Sequence, residues 1–348
     1  MVRPNAALRV AAAVAVAGAG AGASASSIAP PQALYGLQTS GAGSPSLVVV
    51  NPDGTTAPVG PSLQFIPGVW DVGAVDDTRG TLYVSGVDAN DGQRLIGISL
   101  QSGLVNSSVA FPWKELGYIG EGIMFAFARD LGLIVTTGEA SDGQYVVGTF
   151  DPLSGAFRRV TNFTRPAGLR DDIGGSATYC AQSGRFVFDL RGAAEGAHLF
   201  SVELATGAMI DAADPDAAVI QSHACSPLDG MVYGMGIRLL PGGGWTRGLY
   251  TFDPAKLVVS KVGDTPAWGV DMGAVLAINA AASPPTIWSM MSPSDQYPPN
   301  GDTPLQLVGV SLVPAGVNAS VVSVGATPLC TAGHNSVCPT TFAWATKR

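Results

Sequence analysis

Residues 122–160 read GIMFAFARDLGLIVTTGEASDGQYVVGTFDPLSGAFRRV. Short apolar runs over Ile123–Ala128, Leu133–Thr137, Tyr145–Phe150 and Ala156–Val160 are separated by RDLG, ASDG and DPLSG, whose Gly, Pro, Asp and Ser favour turns. Four strands this short form a meander that cannot bury both of its faces alone. A unit of about 40 residues becomes stable when copies of it stack face to face.

Copies flank it on both sides. Residues 69–111, 176–212, 222–262 and 272–324 repeat the pattern, while LYGL from Leu34, LVVV from Leu47 and the turn NPDG from Asn51 supply the second and third strands of a copy without a first strand. The middles of the second strands fall at Tyr35, Tyr83, Ile134, Val187, Tyr233 and Ile287, at gaps of 48, 51, 53, 46 and 54 residues. A period of about 50 with four strands per copy predicts an all-β chain folded as a β-propeller. The absent first strand has a counterpart at the other end, where TFAWATK from Thr341 lies on MFAFARD from Met124. The tail is therefore expected to complete the copy begun at Leu34 and to close six blades over 30–348, seven being the alternative if the variable copies hide another. Closure removes the open edge that would invite aggregation.

Composition agrees with many strands and tight turns: Gly 45 and Pro 25 among 348 residues, 13% charged and 47% hydrophobic. A net charge of −8 leaves no basic field for a phosphate backbone, which excludes nucleic acid as a partner. Residues 1–25 place Arg3 and Arg9 before an Ala/Gly-rich apolar run and small residues at 21–25, the layout of a signal peptide with an organellar transit peptide as the alternative. No later stretch reaches the roughly 18 apolar residues of a membrane span, so a secreted, monomeric protein is expected. Four cysteines suit an oxidising compartment: Cys330 and Cys338 flank a short loop, and Cys180 and Cys225 recur at one place in successive repeats, as a bridge or as buried thiols. The sequons at Asn106, Asn162 and Asn318 lie at or after last strands, at a propeller's rim, and make it a candidate glycoprotein.

The segment from Leu82 (LYVSG) through Ile96 (IGISLQSGLV) resembles the YVTN-type repeat of lactonase-like and quinoprotein-like propellers, with Ser85-Gly86 where that repeat has Thr-Asn. The resemblance implies a fold and names no reaction. Signatures of a nucleophile elbow, a zinc helix or a P-loop are absent.

One polar constellation is aligned by the repeats. Segments leading into first strands carry Asp71, Glu121, Asp172 and Asp271, and a fifth carries Gln221 and His223. At one channel mouth these would form an acidic ring of the hard oxygen ligands that Ca²⁺ takes. Six-bladed propellers similar to gluconolactonases and calcium-dependent phosphotriesterases hold a metal there, and likeness to them implies Asp71, Glu121, Asp172 and Asp271 as ligands and His223 as a catalytic base. Otherwise each Asp caps a turn. Two functions follow: an interaction scaffold whose loops and channel mouth bind a protein or glycan, or a metal-assisted hydrolase of a small-molecule lactone or ester.

Overall fold

The computed structural model describes residues 32–39, 45–64, 66–67, 73–87, 92–116, 124–140, 142–166, 176–191, 197–214, 219–239, 245–264, 269–270, 276–280, 285–292, 304–311, 320–324, 330–331 and 339–346. They form six antiparallel sheets, the blades of a six-bladed propeller. The expected leader over 1–25 and Cys338 lie outside these residues, as does the side chain of Cys330.

Blade 3 follows its sequence pattern closely, with strands Met124–Ala128, Leu133–Glu139, Tyr145–Phe150 and Phe157–Phe163 paired in order. Its second and third strands are covered on both faces and buried almost end to end. They therefore read as continuous apolar runs rather than as alternation. The turn after Tyr145–Phe150 shows why Gly recurs in the hairpins: Gly155 sits at φ 77, in the left-handed region, where the Asp151 carboxylate and carbonyl gather the amides of Leu153 and Gly155. In the matching blade 5 turn Leu257 adopts φ 57 instead, and its side chain is buried in the core between blades 4 and 5. Packing there offsets the strain of a non-Gly residue in that conformation.

The core is divided by the ring. Apolar clusters lie between blades 1 and 2, 2 and 3, 3 and 4, and 4 and 5, and one cluster runs through blades 5, 6 and 1. Between blades 3 and 4, Phe163, Phe188 and Phe200 pack with ring centroids 5.0–6.0 Å apart. Such aromatic contacts add to area burial. Each blade's outward faces are thus buried by its neighbours, as the stacking argument requires.

Closure occurs where the repeat alignment puts it. The tail strand Pro339–Thr346 pairs antiparallel with Gln32–Thr39, in register Leu34 with Trp344 and Gly36 with Phe342, and completes blade 1 with Pro45–Val50 and Thr56–Pro58. Consecutive inner strands neighbour one another from the tail through blades 2 to 6 and back to the tail. Among the described residues no helix is long and apolar enough to cross a membrane.

Candidate functional site

The inner strands begin at one mouth of the channel, where the second strands end. Blade 4 begins with Ala177–Cys180 and Arg185–Arg191, and blade 5 with Val219–Cys225. The Ser176 amide donates to Asp189 Oδ1 (2.6 Å) and the Asp189 amide to the Ser176 carbonyl (3.2 Å), tying the start of one strand to the end of the next. Across the blade boundary the His223 amide donates to Ser176 Oγ (2.6 Å) and the Cys225 amide to Thr178 Oγ1 (3.1 Å). His223 and Cys225 are two apart in an inner strand, so their amides face the same way, away from their own blade. The hydroxyls at 176 and 178 cap a sheet edge that would otherwise present unpaired donors.

The junction is also covalent: Cys180 and Cys225 form a disulfide with Cα atoms 5.4 Å apart. Both end their inner strands, so equivalent positions in adjacent repeats come within bridging distance. Of the two readings left open by the sequence, the bridge is the one formed, and it is compatible with an extracellular or periplasmic location.

His223 lies inside a strand rather than ahead of one. Blade 5's inner strand takes an irregularity between Ile220 and Ser222 and so continues in both directions past the place where the sequence pattern starts it. The His223 and Asp189 side chains are fully buried, with Nδ1 3.9 Å from Oδ1, and the imidazole meets the Phe252 ring edge-on at 5.8 Å. A serine, an aspartate and a histidine are thereby brought together. The oxygen of Ser176, however, accepts the main-chain amide of His223, so it positions a strand.

The four acidic positions Asp71, Glu121, Asp172 and Asp271 lie outside the described residues. Asp71 falls between Ile66–Pro67 and Gly73–Asp76, which both pair with Thr81–Val87, and Asp271 between Gly269–Val270 and Ala277–Asn279, which both pair with Thr286–Ser292. Glu121 and Asp172 precede the inner strands of blades 3 and 4. Among the described residues no three His, Cys, Asp or Glu converge as a metal-binding group.

Sequence reasoning passed over Ser176 and Asp189. A signal for Asp189 exists: two residues after each second-strand midpoint stand Leu37, Ser85, Thr136, Asp189, Met235 and Ser289, all buried, and Asp189 alone carries a formal charge. A lone carboxylate in RFVFDLR, covered on both faces, demands a polar partner.

At the opposite turns a second acid is used structurally. Asp76, fully buried, accepts from the Thr78 amide (2.9 Å), the Thr78 hydroxyl (2.5 Å), the Arg79 amide (3.1 Å) and the Arg79 guanidinium (2.9 Å). Burial, the largest single influence, pushes its pKa up, but the bonds from Thr78 and Arg79 together outweigh it and hold the carboxyl below its ordinary value. From there a polar chain ties neighbouring turns: Arg129 pairs with Asp77, Tyr179 donates to Asp130 (3.1 Å), and Gln182 donates to the Pro227 carbonyl (2.7 Å).

No protein-family model and no curated protein matches the chain. Solved structures similar to it include a chain of the nidogen/laminin complex, 9% identical over 90% of this chain and 98% of that one, with a TM-score of 0.55. TolB from Acinetobacter baumannii is 12% identical over 91% of this chain and 67% of its own, with a TM-score of 0.54. A putative TolB from Agrobacterium tumefaciens is 12% identical over 84% and 88%, with a TM-score of 0.50. Identities this low establish the β-propeller fold and nothing finer.

Proposed function

We propose that this propeller is an interaction scaffold working outside the cytosol, binding a protein or glycan through its loops and channel mouth. One observation carries the reading: the serine, aspartate and histidine that the fold gathers are used to fix strands, with Ser176 Oγ holding the His223 amide. A nucleophile needs its hydroxyl proton directed at a base, and the bond Ser176 Oγ makes to His223 is an acceptance from its main chain, which gives the serine a strand-fixing role. The disulfide supports an oxidising compartment, and a chain of similar fold is found in the nidogen/laminin complex.

The competing function is metal-assisted hydrolysis, with Asp71, Glu121, Asp172 and Asp271 as ligands of Ca²⁺ and His223 as base. A panel of lactones and esters assayed with and without calcium, beside calcium-dependent melting, separates the two. The scaffold reading expects no turnover and the same melting curve for wild type and Asp271→Ala in calcium. Calcium-dependent turnover lost in Asp271→Ala would replace it with the hydrolase.

A further inference from the structure

Among the described residues each blade ends in an outer strand with no further strand paired on its rim edge, and five of the six edges are blunted. In blades 2, 3, 5 and 6 the outer pair shifts register, leaving Asn106, Val160, Val262 and Val322 as the extra residue on the outer strand. Bulges of this kind twist an edge away from an incoming strand. In blade 1 the outer strand is the three-residue Thr56–Pro58, ending in proline. Blades 2 and 3 also carry the sequons of Asn106 and Asn162 on their outer strands, both exposed, and in sequence Asn318 precedes that of blade 6.

Blade 4 has none of these devices. Its outer strand Met209–Asp214 pairs residue for residue with Ala197–Val202, without a shift, a proline or a sequon. In the third strand blades 2, 3 and 6 have Gly97, Gly148 and Gly309 beside the shift, blade 5 shifts between Leu249 and Tyr250 without a glycine there, and blade 4 has Ser201 in register with Ile210. Ser201 Oγ accepts from Arg185 Nε (2.8 Å) and donates to the Pro254 carbonyl of blade 5 (2.5 Å), anchoring the strand.

Which groups the edge presents follows from its turn. The Glu203 amide bonds the Ala208 carbonyl, so with strand alternation Ile210, Ala212 and Asp214 face the ladder, and the amides and carbonyls of Met209, Asp211 and Ala213 face outward. Met209 and Asp211 are exposed, and Asp211 Oδ1 lies 3.0 Å from His198 Nδ1 on the neighbouring strand. The strand MIDAAD carries two acids and no base, unlike the outer strand of blade 3 with its exposed Arg158 and Arg159. Pairing with a second copy of itself would set acid against acid across the ladder, which disfavours a symmetric dimer.

We propose that the outer strand of blade 4 is a docking edge that takes an extended, basic polypeptide segment by β-strand addition, backbone groups of Met209, Asp211 and Ala213 supplying the ladder and Asp211 selecting cations. This rests on the scaffold reading and assigns its partner class and its surface.

The test uses the full chain and a short fluorescein-labelled peptide of alternating lysine and valine, followed by anisotropy and amide hydrogen exchange. Saturable, salt-sensitive binding is expected, with slowed exchange at Met209, Asp211 and Ala213, and a glutamate–valine peptide should not bind. Ala213→Pro removes an outward donor without touching an inward bond, and should weaken binding by about tenfold or more while the melting curve holds. Asp211→Lys, independent of any backbone change, should also weaken it by several-fold. Absence of binding, binding indifferent to both substitutions, or protection on another blade would overturn the docking edge. Turnover in the ester panel would instead remove the scaffold reading, so the two fail separately.

Discussion

The ring is held at two places by different means. At blade 1 two remote segments are zipped by a backbone ladder between Pro339–Thr346 and Gln32–Thr39, within one sheet. At the boundary of blades 4 and 5 the join is between sheets, where no ladder runs, and side chains do the tying: Cys180 with Cys225, and the hydroxyls of Ser176 and Thr178 on the amides of His223 and Cys225. A ladder distributes its strength over a strand and exists only when the whole strand is in place. A disulfide acts on two residues and restricts the unfolded chain as well. The first should govern whether the ring forms, and the second how stable it is once formed.

The largest effect should come from the ladder. Deleting residues 342–348 exposes the Gln32–Thr39 edge of blade 1 and the faces of its neighbours, and should cost more than about 4 kcal/mol or abolish folding, as read from urea denaturation. Breaking the other junction with Cys180→Ser and Cys225→Ser should cost less, about 2–4 kcal/mol for a loop of 45 residues, and should leave a folded ring by circular dichroism. If the serine variant unfolds while the truncation melts normally, the two roles are reversed.

Single polar struts rank below both. Asp76→Asn should cost about 1–3 kcal/mol, since it weakens a buried, multiply bonded carboxylate. Because folding lowers this pKa, the stabilisation is complete above the ordinary carboxylate value of 3.8 and fades as pH falls through the folded value, so the cost of Asp76→Asn should shrink in acid. Tyr233 gives the opposite sign. Burial first, and then its 2.8 Å bond to Asp229, push its phenol up to about 12. A raised pKa stabilises below the unfolded value of 10.0 and is lost as pH climbs towards about 12, so alkaline melting should be flatter in Tyr233→Phe.

Fold and site were unequally legible in the sequence. The hairpin turns, the spacing from Tyr35 to Ile287 and the likeness of TFAWATK to MFAFARD define blades and closure, because strand length and turn chemistry are local. The pairing of Cys180 with Cys225 was open, since equal positions in adjacent repeats give proximity without giving side-chain direction. The joining of Ser176, Asp189 and His223 depends on three strands in two blades, and the irregularity at Ile220–Ser222 that lengthens the blade 5 strand has no marker in the residues. The flat edge of blade 4 shows in sequence only as Ser201 where blades 2 and 6 have Gly97 and Gly309, which means little until the register is known.

The closed ring itself is tested most directly by amide hydrogen exchange on the intact protein. If the tail is the inner strand of blade 1, amides of 340–346 and 32–39 should exchange as slowly as those of Met124–Ala128 and Leu133–Glu139 in blade 3, and should lose protection together on the approach to unfolding. Exchange of 340–346 at the rate of a free chain, with blade 3 still protected, would contradict closure by the C-terminal strand.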